Sequence, residues 1–146
     1  IALRLEEMSV AFEEIGNDYY YTCRERMNRV IIPNPKDDPI DTAAHMIFIN
    51  KTCFNGLWRI NSRGELNTPV GRPSSGKVKI LDRENLVSFS ELTRNVRFLT
   101  QDWSKTMSCV SKGDLVYVDP PYLPLREDEY VFSDYSGEGF RMEKFH

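Results

Sequence analysis

The sequence predicts an α/β protein, and two patterns predict it. Apolar residues recur at spacings of three and four in several segments, which indicates amphipathic helices. Residues 115–118 form a short, continuous apolar run after Gly113, which is typical of a strand buried on both faces. Strands of this kind belong to parallel sheets. We therefore expect part of such a sheet, with helices around it.

The first part of the chain is expected to be mainly helical. Residues 1–15 have the spacing of an amphipathic helix, and Gly16 stands where a C-terminal cap belongs. The apolar face of this helix consists of Leu5, Met8, Phe12 and Ile15. Residues 32–41 hold three prolines and predict a loop. The loop ends at Asp41, which is expected to cap a second helix over about 42–52.

The middle of the chain is predicted to be a polar segment with many turns. Residues 54–77 are rich in glycine and asparagine, and they indicate a short hairpin around Arg63-Gly64. This segment is too polar to be expected in a core. After it, the pattern predicts a third helix over about 84–95, a short strand over 96–100 and a helical turn from Trp103.

The composition excludes several classes of protein. With 146 residues, 40% of them hydrophobic and 28% charged, the chain can bury a core and is neither disordered nor collagen-like. No stretch approaches the ~18 apolar residues of a membrane span. Cys23, Cys53 and Cys109 form no Cys-x-x-Cys pair, so we expect reduced thiols and no metal site. His45 is expected to be a structural side chain.

The net charge of −3 conceals an uneven distribution. Residues 51–83 hold seven basic and two acidic side chains, a net charge of +5, whereas the residues before and after this segment each carry −4. A basic segment with asparagines and aromatic residues, inside an acidic chain, is typical of a nucleic-acid-binding insert. A solvated loop without a partner would have the same composition, so the charges alone leave both interpretations open.

The motif Asp119-Pro120-Pro121-Tyr122 directly follows the predicted strand over 115–118. Ligand sites in open α/β sheets lie just beyond the carboxyl ends of strands. Proline has no backbone N–H, so these carbonyls are available to a ligand, while Asp119 adds a carboxylate and Tyr122 a flat ring. Such groups suit an exocyclic amine on a planar base: the acceptors bind the amine and the ring stacks. A turn that merely ends a strand is the alternative interpretation.

Several runs of residues together resemble one family. Tyr20-Tyr21-Thr22-Cys23-Arg24 with Asn28 looks like that family's Tyr-Tyr-x-x-Arg-x-x-Phe-Asn, with Met27 in place of Phe. The runs similar to its target-recognition region are residues 48–51, 54–61 and 64–72. They precede the Asp-Pro-Pro-Tyr motif, as they do in the family. The family is the D12 class of S-adenosylmethionine-dependent, Dam-like adenine-N6 DNA methyltransferases.

The resemblance implies an architecture and an activity. The fold would be part of a Rossmann-like methyltransferase sheet with an inserted helical and hairpin-bearing recognition region. Residues 1–50 would lead into that region, residues 51–83 would bind DNA, and residues 84–146 would form a partial catalytic domain. The activity would be methyl transfer from S-adenosylmethionine to N6 of a flipped adenine in duplex DNA. The protein would be monomeric, cytoplasmic and free of the membrane.

The resemblance also assigns roles to residues. Asp119 and Pro120 would orient and polarise the amine, Pro121 would shape the turn, and Tyr122 would stack on the base. Asp119, Asp102 and Trp103 would contact the cofactor, unless Asp102 only caps the following helix. The expected DNA contacts are Asn55, Leu57, Arg59 and Arg72. Phe132, Tyr135 and Phe140 follow the motif, and their spacing resembles a family loop that closes near the flipped base, with a plain packing role as the alternative.

Two other functions remain open at this point. Enzymes that methylate a glutamine amide in proteins use a similar tetrapeptide, but they typically begin it with Asn and lack the long region before it. A DNA-binding remnant without turnover is the second alternative. The chain departs from the family at residues 73–77, where the family commonly has an aromatic residue and lysines. The family's Gly-rich cofactor loop lies upstream of these motifs, so we expect residues 1–146 alone to bind S-adenosylmethionine weakly and to be inactive.

Overall fold

The computed structural model describes residues 1–72, 76 and 78–119. Its secondary structure there consists of α-helices, single turns of π- and 3₁₀-helix and two isolated antiparallel bridges. The helices are α1 (Ala2–Ile15), α2 (Asn17–Arg26), α3 (Pro39–Thr52), α4 (Arg83–Leu92) and α5 (Trp103–Met107). The first four belong to a compact unit, Ile1–Val96, and a second unit begins at Arg97.

Gly16 separates two consecutive helices. Its φ of 75° lies in the left-handed region that favours glycine, and its N–H donates to the Phe12 carbonyl at 2.9 Å. The predicted helix α1 is therefore confirmed, including its end. On its predicted apolar face Ile15 is 57% exposed, because the helix ends there. Helix α2 begins directly after Gly16 and continues into a π-helical turn, Met27–Ile31, and neither is among the predicted elements.

Helix α3 begins three residues before its predicted start. The Asp38 carboxylate accepts hydrogen bonds from the N–H groups of Ile40 (3.1 Å) and Asp41 (2.9 Å), so Asp38 is the N-terminal cap. Pro39 occupies the first helical position, where the missing proline N–H costs no hydrogen bond. The prediction that Asp41 caps this helix is wrong, because Asp41 lies within its first turn.

Helices α1, α2 and α3 enclose the hydrophobic core. Phe48 of α3 is fully buried, and its ring meets those of Phe12 and Tyr19 edge to face, with centroids 5.6 Å apart in both pairs. The other buried apolar residues of these helices and the π-helical turn are Leu5, Met8, Tyr20, Cys23, Met27, Ile31, Ala44 and Ile49. The core therefore joins all three helices and fixes the end of α3.

Asp41 is the centre of a polar cluster that ties the same three helices together. Its carboxylate accepts hydrogen bonds from Arg26 Nη2 at 2.7 Å, from Arg26 Nε at 3.0 Å and from Arg4 Nε at 3.1 Å. His45, which is 1% exposed, has Nδ1 at 2.9 Å from the Asp41 carbonyl and 3.2 Å from its carboxylate. Both of these neighbours are acceptors, so Nδ1 carries the proton. The expectation that His45 is structural agrees with this burial.

Acidification is expected to destabilise this cluster in two stages. Burial lowers the pKa of His45 below its usual 6.5. Burial opposes ionisation of Asp41, but Arg26, His45 and Arg4 together hold its pKa below 3.8. Both folded pKa values are depressed, so the stabilisation is complete above pH 6.5 and is lost as the pH falls through each folded value. Urea unfolding should give a smaller free energy of unfolding at pH 5 than at pH 7.5. His45→Gln should make the free energy of unfolding less dependent on pH. An unchanged dependence on pH would refute the role of His45 in it.

The two predicted strands are not formed among the residues that the structure describes. Residues 96–100 and 115–118 have no strand pairing, and Leu115 and Tyr117 are 98% and 87% exposed. The prediction of a strand buried on both faces is wrong for this part of the molecule. A strand requires neighbours for its backbone hydrogen bonds, and no described segment pairs with these residues. The predicted third helix is confirmed as α4, although it ends at Leu92, and the helical turn from Trp103 is confirmed as α5.

The cysteines form no disulfide. Cys23 and Cys53 are buried and Cys109 is exposed, and all three are free thiols, as expected. Burial raises the pKa of Cys23 to about 11, which keeps this thiol protonated. Among the described residues, no group of histidine, cysteine and carboxylate side chains is arranged to hold a metal ion. No helix in that part of the chain is long and apolar enough to cross a membrane.

Candidate nucleic-acid interface

Residues 53–72, here called the hairpin segment, follow α3 directly and return to its end. The Phe54 N–H donates to the Pro69 carbonyl at 2.9 Å, and the Gly71 N–H donates to the Thr52 carbonyl at 2.8 Å. A Cβ atom at Gly71 would lie only 2.6 Å from the Cys53 carbonyl oxygen, so glycine is required for this approach. Both ends of the hairpin segment are therefore fixed to the last turn of α3.

The tip of the hairpin segment is the predicted turn around Arg63-Gly64. The Gly64 N–H donates to the Asn61 carbonyl at 2.9 Å, and Gly64 has a φ of 78°. This matches the three-residue hairpin loop in which a glycine occupies the left-handed position. The Asn61 side chain accepts from the N–H groups of Arg63 and Glu65 and donates to the Glu65 carboxylate. The hairpin is thus confirmed, with an ordered tip.

The hairpin segment has a first arm, residues 53–60, and a second arm, residues 66–71. Helix α2 and the turn after it hold the second arm. The Tyr20 hydroxyl and Arg24 Nη1 both donate to the Thr68 carbonyl at 2.9 Å. The Asn28 side-chain amide donates to the Leu66 carbonyl at 3.0 Å and accepts from the Leu66 N–H at 2.8 Å. Burial raises the pKa of Tyr20 to about 12, so its hydroxyl remains a donor. Three side chains at successive four-residue spacings therefore bind one extended arm.

Thr68 connects the two arms of the hairpin segment. Its hydroxyl donates to the Leu57 carbonyl at 2.7 Å and accepts from the Arg59 N–H at 3.2 Å. Leu66 and Thr68 are only 1% and 2% exposed. The expectation that this segment is too polar to enter the core is therefore wrong for its second arm. Alternate residues of an extended arm can point inward while their neighbours stay in solvent, and composition alone does not reveal this.

The four residues predicted to contact DNA are all exposed. Asn55 has a φ of 53° and lies with Gly56 in a turn. The Asn50 side-chain amide donates to the Gly56 carbonyl at 3.0 Å and holds this turn. Leu57 is 48% exposed, and the Arg59 guanidinium donates through Nε to Asn67 Oδ1 at 2.8 Å. Asn55, Leu57 and Arg59 therefore lie together on the first arm. Arg72 follows the second arm and lines a cavity of about 570 Å³.

The basic residues of segment 51–83 are not equivalent. Carboxylates neutralise three of them: Arg63 pairs with Glu65, Lys79 with Asp82, and Arg83 with Glu6, each at 3.0 Å. Among the described residues, Lys51, Arg59 and Arg72 take part in no ion pair. These three cations are exposed, and exposed Arg and Lys side chains of this kind can bind phosphate oxygens or the edges of bases.

The residues expected to form the catalytic and cofactor sites are described only in part. Asp102 caps α5: its carboxylate accepts from the Ser104 N–H at 3.0 Å and from the Ser104 hydroxyl at 2.6 Å. Trp103 is 43% exposed, and Asp119 is also exposed. Outside the described residues lie Pro120, Pro121, Tyr122, Phe132, Tyr135 and Phe140. The cap confirms one of the two roles considered for Asp102 and leaves the cofactor role a prediction.

Comparisons with known proteins match nearly the whole chain. The family model of the D12 class N6 adenine-specific DNA methyltransferases matches residues 4–144. The chain is 37% identical to the Type II methyltransferase M.MjaIII of Methanocaldococcus jannaschii, over 99% of the chain and 50% of that protein. It is 37% identical to a DNA adenine methylase of Serratia marcescens, over 77% of the chain and 39% of that protein. It is 32% identical to the DNA adenine methylase of Escherichia coli K12, over 87% of the chain and 42% of that protein.

These relatives are longer than the chain described here, which spans about half or less of their length. The family match nevertheless extends from α1 to beyond the Asp-Pro-Pro-Tyr motif, so it includes the helical core, the hairpin segment and the motif in one continuous range. The chain belongs to the D12 class of N6 adenine-specific DNA methyltransferases.

Proposed function

We propose that the protein containing this chain transfers a methyl group from S-adenosylmethionine to N6 of an adenine in double-stranded DNA. The observation that carries the proposal is the hairpin segment, which the helical core holds in one position and whose first arm presents Asn55, Leu57 and Arg59 to solvent. An exposed, ordered arm that carries the Arg59 cation, in a family of adenine DNA methyltransferases, is suited to read a DNA groove.

Two kinds of DNA contact follow from the side chains that this segment exposes. Arg59 and Arg72 are cations without a carboxylate partner among the described residues, so they are suited to phosphates or to guanine edges. Asn55 offers an amide that can donate and accept, and Leu57 offers an apolar surface. Phosphate contacts set the position of the protein on the duplex, and base contacts select the sequence.

The motif that begins at Asp119 would perform the chemistry. The target amine cannot be reached inside the stack, so the adenine must be flipped out. The Asp119 carboxylate and the Pro120 carbonyl would accept hydrogen bonds from the N6 amine, which directs the nitrogen lone pair toward the methyl group. Tyr122 would stack on the flipped base, and Pro121 would fix the turn. Positioning the amine supplies most of the catalysis in this scheme.

The methyl donor would be held partly by residues of the second unit. S-adenosylmethionine supplies an electrophilic methyl sulfonium. Trp103 presents a ring that is 43% exposed, and Asp102 precedes it with a carboxylate. An aromatic face and an anionic acceptor suit the purine and the ribose of an adenosine group. We propose these contacts within a Rossmann-like sheet, in a monomeric, cytoplasmic protein.

The DNA-binding part of the proposal is tested by Arg59→Ala in the full-length protein. The variant should discriminate less well between the preferred duplex and duplexes with one base pair changed, by a factor of about ten, because one bidentate base contact supplies roughly 1–3 kcal/mol. Fluorescence anisotropy at fixed salt measures the affinities. The control is Arg29→Ala, which removes an exposed cation that lies outside the hairpin segment and pairs with Glu25. Unchanged discrimination by Arg59→Ala would argue against this role.

A further inference from the structure

We infer that Asn28 is a positioning residue for sequence reading: it fixes the second arm of the hairpin segment and thereby directs the Arg59 guanidinium. The inference rests on the proposed function, because it concerns how that function selects its DNA sequence. Asn28 lies in the π-helical turn after α2. Its side chain is partly buried, so we do not propose that it contacts DNA itself.

The Asn28 side chain substitutes for a neighbouring β-strand. A primary amide has the donor and acceptor of a peptide unit, and Asn28 uses both on one residue, donating to the Leu66 carbonyl and accepting from the Leu66 N–H. Leu66 is 1% exposed, so both backbone groups would lose their partner in an apolar setting if the amide were removed. This pair of bonds fixes Leu66 along the arm as well as toward the helices.

The position of Leu66 is transmitted to Arg59 by the adjoining residues. Leu66 forms an antiparallel bridge with Ile60, and the next residue, Asn67, donates its N–H to the Arg59 carbonyl at 3.1 Å. The Asn67 side chain then accepts from Arg59 Nε at 2.8 Å. A displacement of Leu66 would therefore move both the backbone and the side-chain partner of Arg59.

The bond to Nε determines which donors Arg59 can offer to DNA. With Nε bound to Asn67, the plane of the guanidinium is defined and its two terminal nitrogens are the donors available for a base edge. Bidentate recognition depends on the direction of such donors, whereas attraction to phosphate depends mainly on charge. Loss of the Asn28 bonds should therefore reduce sequence discrimination more than overall affinity for DNA.

This expectation separates positioning from a purely structural role. If Asn28 only stabilised the fold, its replacement would lower the amount of active protein and reduce methylation of all duplexes by the same factor. A positioning residue instead changes the ratio of kcat/KM between the preferred duplex and a duplex with one base pair changed. That ratio does not depend on the fraction of folded enzyme, so it is the decisive measurement.

The experiment compares Asn28→Leu, Asn28→Asp and Thr22→Val in the full-length protein. The preferred sequence is first read from plasmid DNA methylated by the wild-type protein. Asn28→Leu removes both bonds to Leu66, Asn28→Asp keeps the acceptor alone, and Thr22→Val removes an exposed hydroxyl that binds only within α2. We expect the kcat/KM ratio to fall about tenfold for Asn28→Leu, to fall less for Asn28→Asp and to stay unchanged for Thr22→Val.

Each outcome decides between the claims. A folded Asn28→Leu with the wild-type ratio overturns the inference and leaves the proposed function intact. If thermal denaturation shows that Asn28→Leu does not fold, the ratio for Asn28→Asp decides, and a wild-type value again overturns the inference. If the wild-type protein itself produces no N6-methyladenine, the proposed function fails and the inference fails with it.

Discussion

Replacement of Asp119 by alanine in the full-length protein is expected to lower kcat/KM for DNA methylation by at least about a hundredfold. In the proposed mechanism this carboxylate accepts a hydrogen bond from the N6 amine and favours the positive charge that develops on nitrogen as the methyl group is transferred. Removal of one preorganised electrostatic group from an active site typically costs a factor of about 100 to 1,000. Transfer of a labelled methyl group from S-adenosylmethionine to duplex DNA measures the effect.

The matched control for this variant is Asp114→Ala. Asp114 is an exposed carboxylate five positions earlier, and it only accepts a bond from the Ser111 N–H at 2.8 Å. We expect Asp114→Ala to stay within a few-fold of the wild-type rate, since its carboxylate has no part in the proposed chemistry. Asp119→Ala with a rate within about tenfold of the wild type would refute the role of Asp119.

Of the substitutions considered, Phe48→Ala should lower the free energy of unfolding the most. Phe48 is fully buried between α1 and α2, where its ring contacts Phe12 and Tyr19 at 5.6 Å. Truncation of such a ring costs about 3–5 kcal/mol, because the removed atoms lose their contacts and leave a cavity. This is a large part of the ~5–15 kcal/mol by which domains are stable. Chemical denaturation at neutral pH measures the free energy of unfolding.

The corresponding control is Leu92→Ala at the end of α4. Leu92 is 83% exposed, so its truncation should change the free energy of unfolding by less than about 0.5 kcal/mol. Phe48 belongs to the helix whose last turn fixes both ends of the hairpin segment, and its loss should therefore also weaken DNA binding. Equal stabilities of the two variants would contradict the placement of Phe48 at the centre of the core.

The helical part of the fold was predictable where apolar spacing and capping agree. Helix α1 and its end at Gly16 follow from this agreement. Helix α2 is not predicted, because its run of tyrosines followed by charged residues has no clear apolar stripe at first sight. The buried residues of α2 and the turn after it follow helical spacing, namely Tyr20, Cys23, Met27 and Ile31. Two acidic residues, Asp38 and Asp41, could each cap α3, and the prediction of Asp41 is wrong. Pro39 identifies Asp38 as the cap, because proline favours the first helical position.

The hairpin segment shows a different limit of sequence reasoning. Its tip at Gly64 and its exposed first arm were predictable from turn chemistry and from charge. The burial of Leu66 and Thr68 was not, because it depends on donors in α2 and in the π-helical turn after it, which lie 38 to 48 residues away in the chain. Tyr20, Arg24 and Asn28 belong to the motif that resembles the family, and their four-residue spacing places them on one helical face, but a motif does not reveal which segment they bind. Predicted strands likewise depend on partners that a local pattern cannot supply.

Whether the full-length protein makes N6-methyladenine in DNA is tested with the wild-type protein beside Asp119→Ala. The full-length protein is incubated with duplex DNA and S-adenosylmethionine carrying an isotopically labelled methyl group, and the digested nucleosides are analysed by mass spectrometry. We expect the label to appear in N6-methyladenine, and we expect far less of it with Asp119→Ala. A label on cytosine, or no label on any nucleoside, would be inconsistent with adenine methylation by this protein.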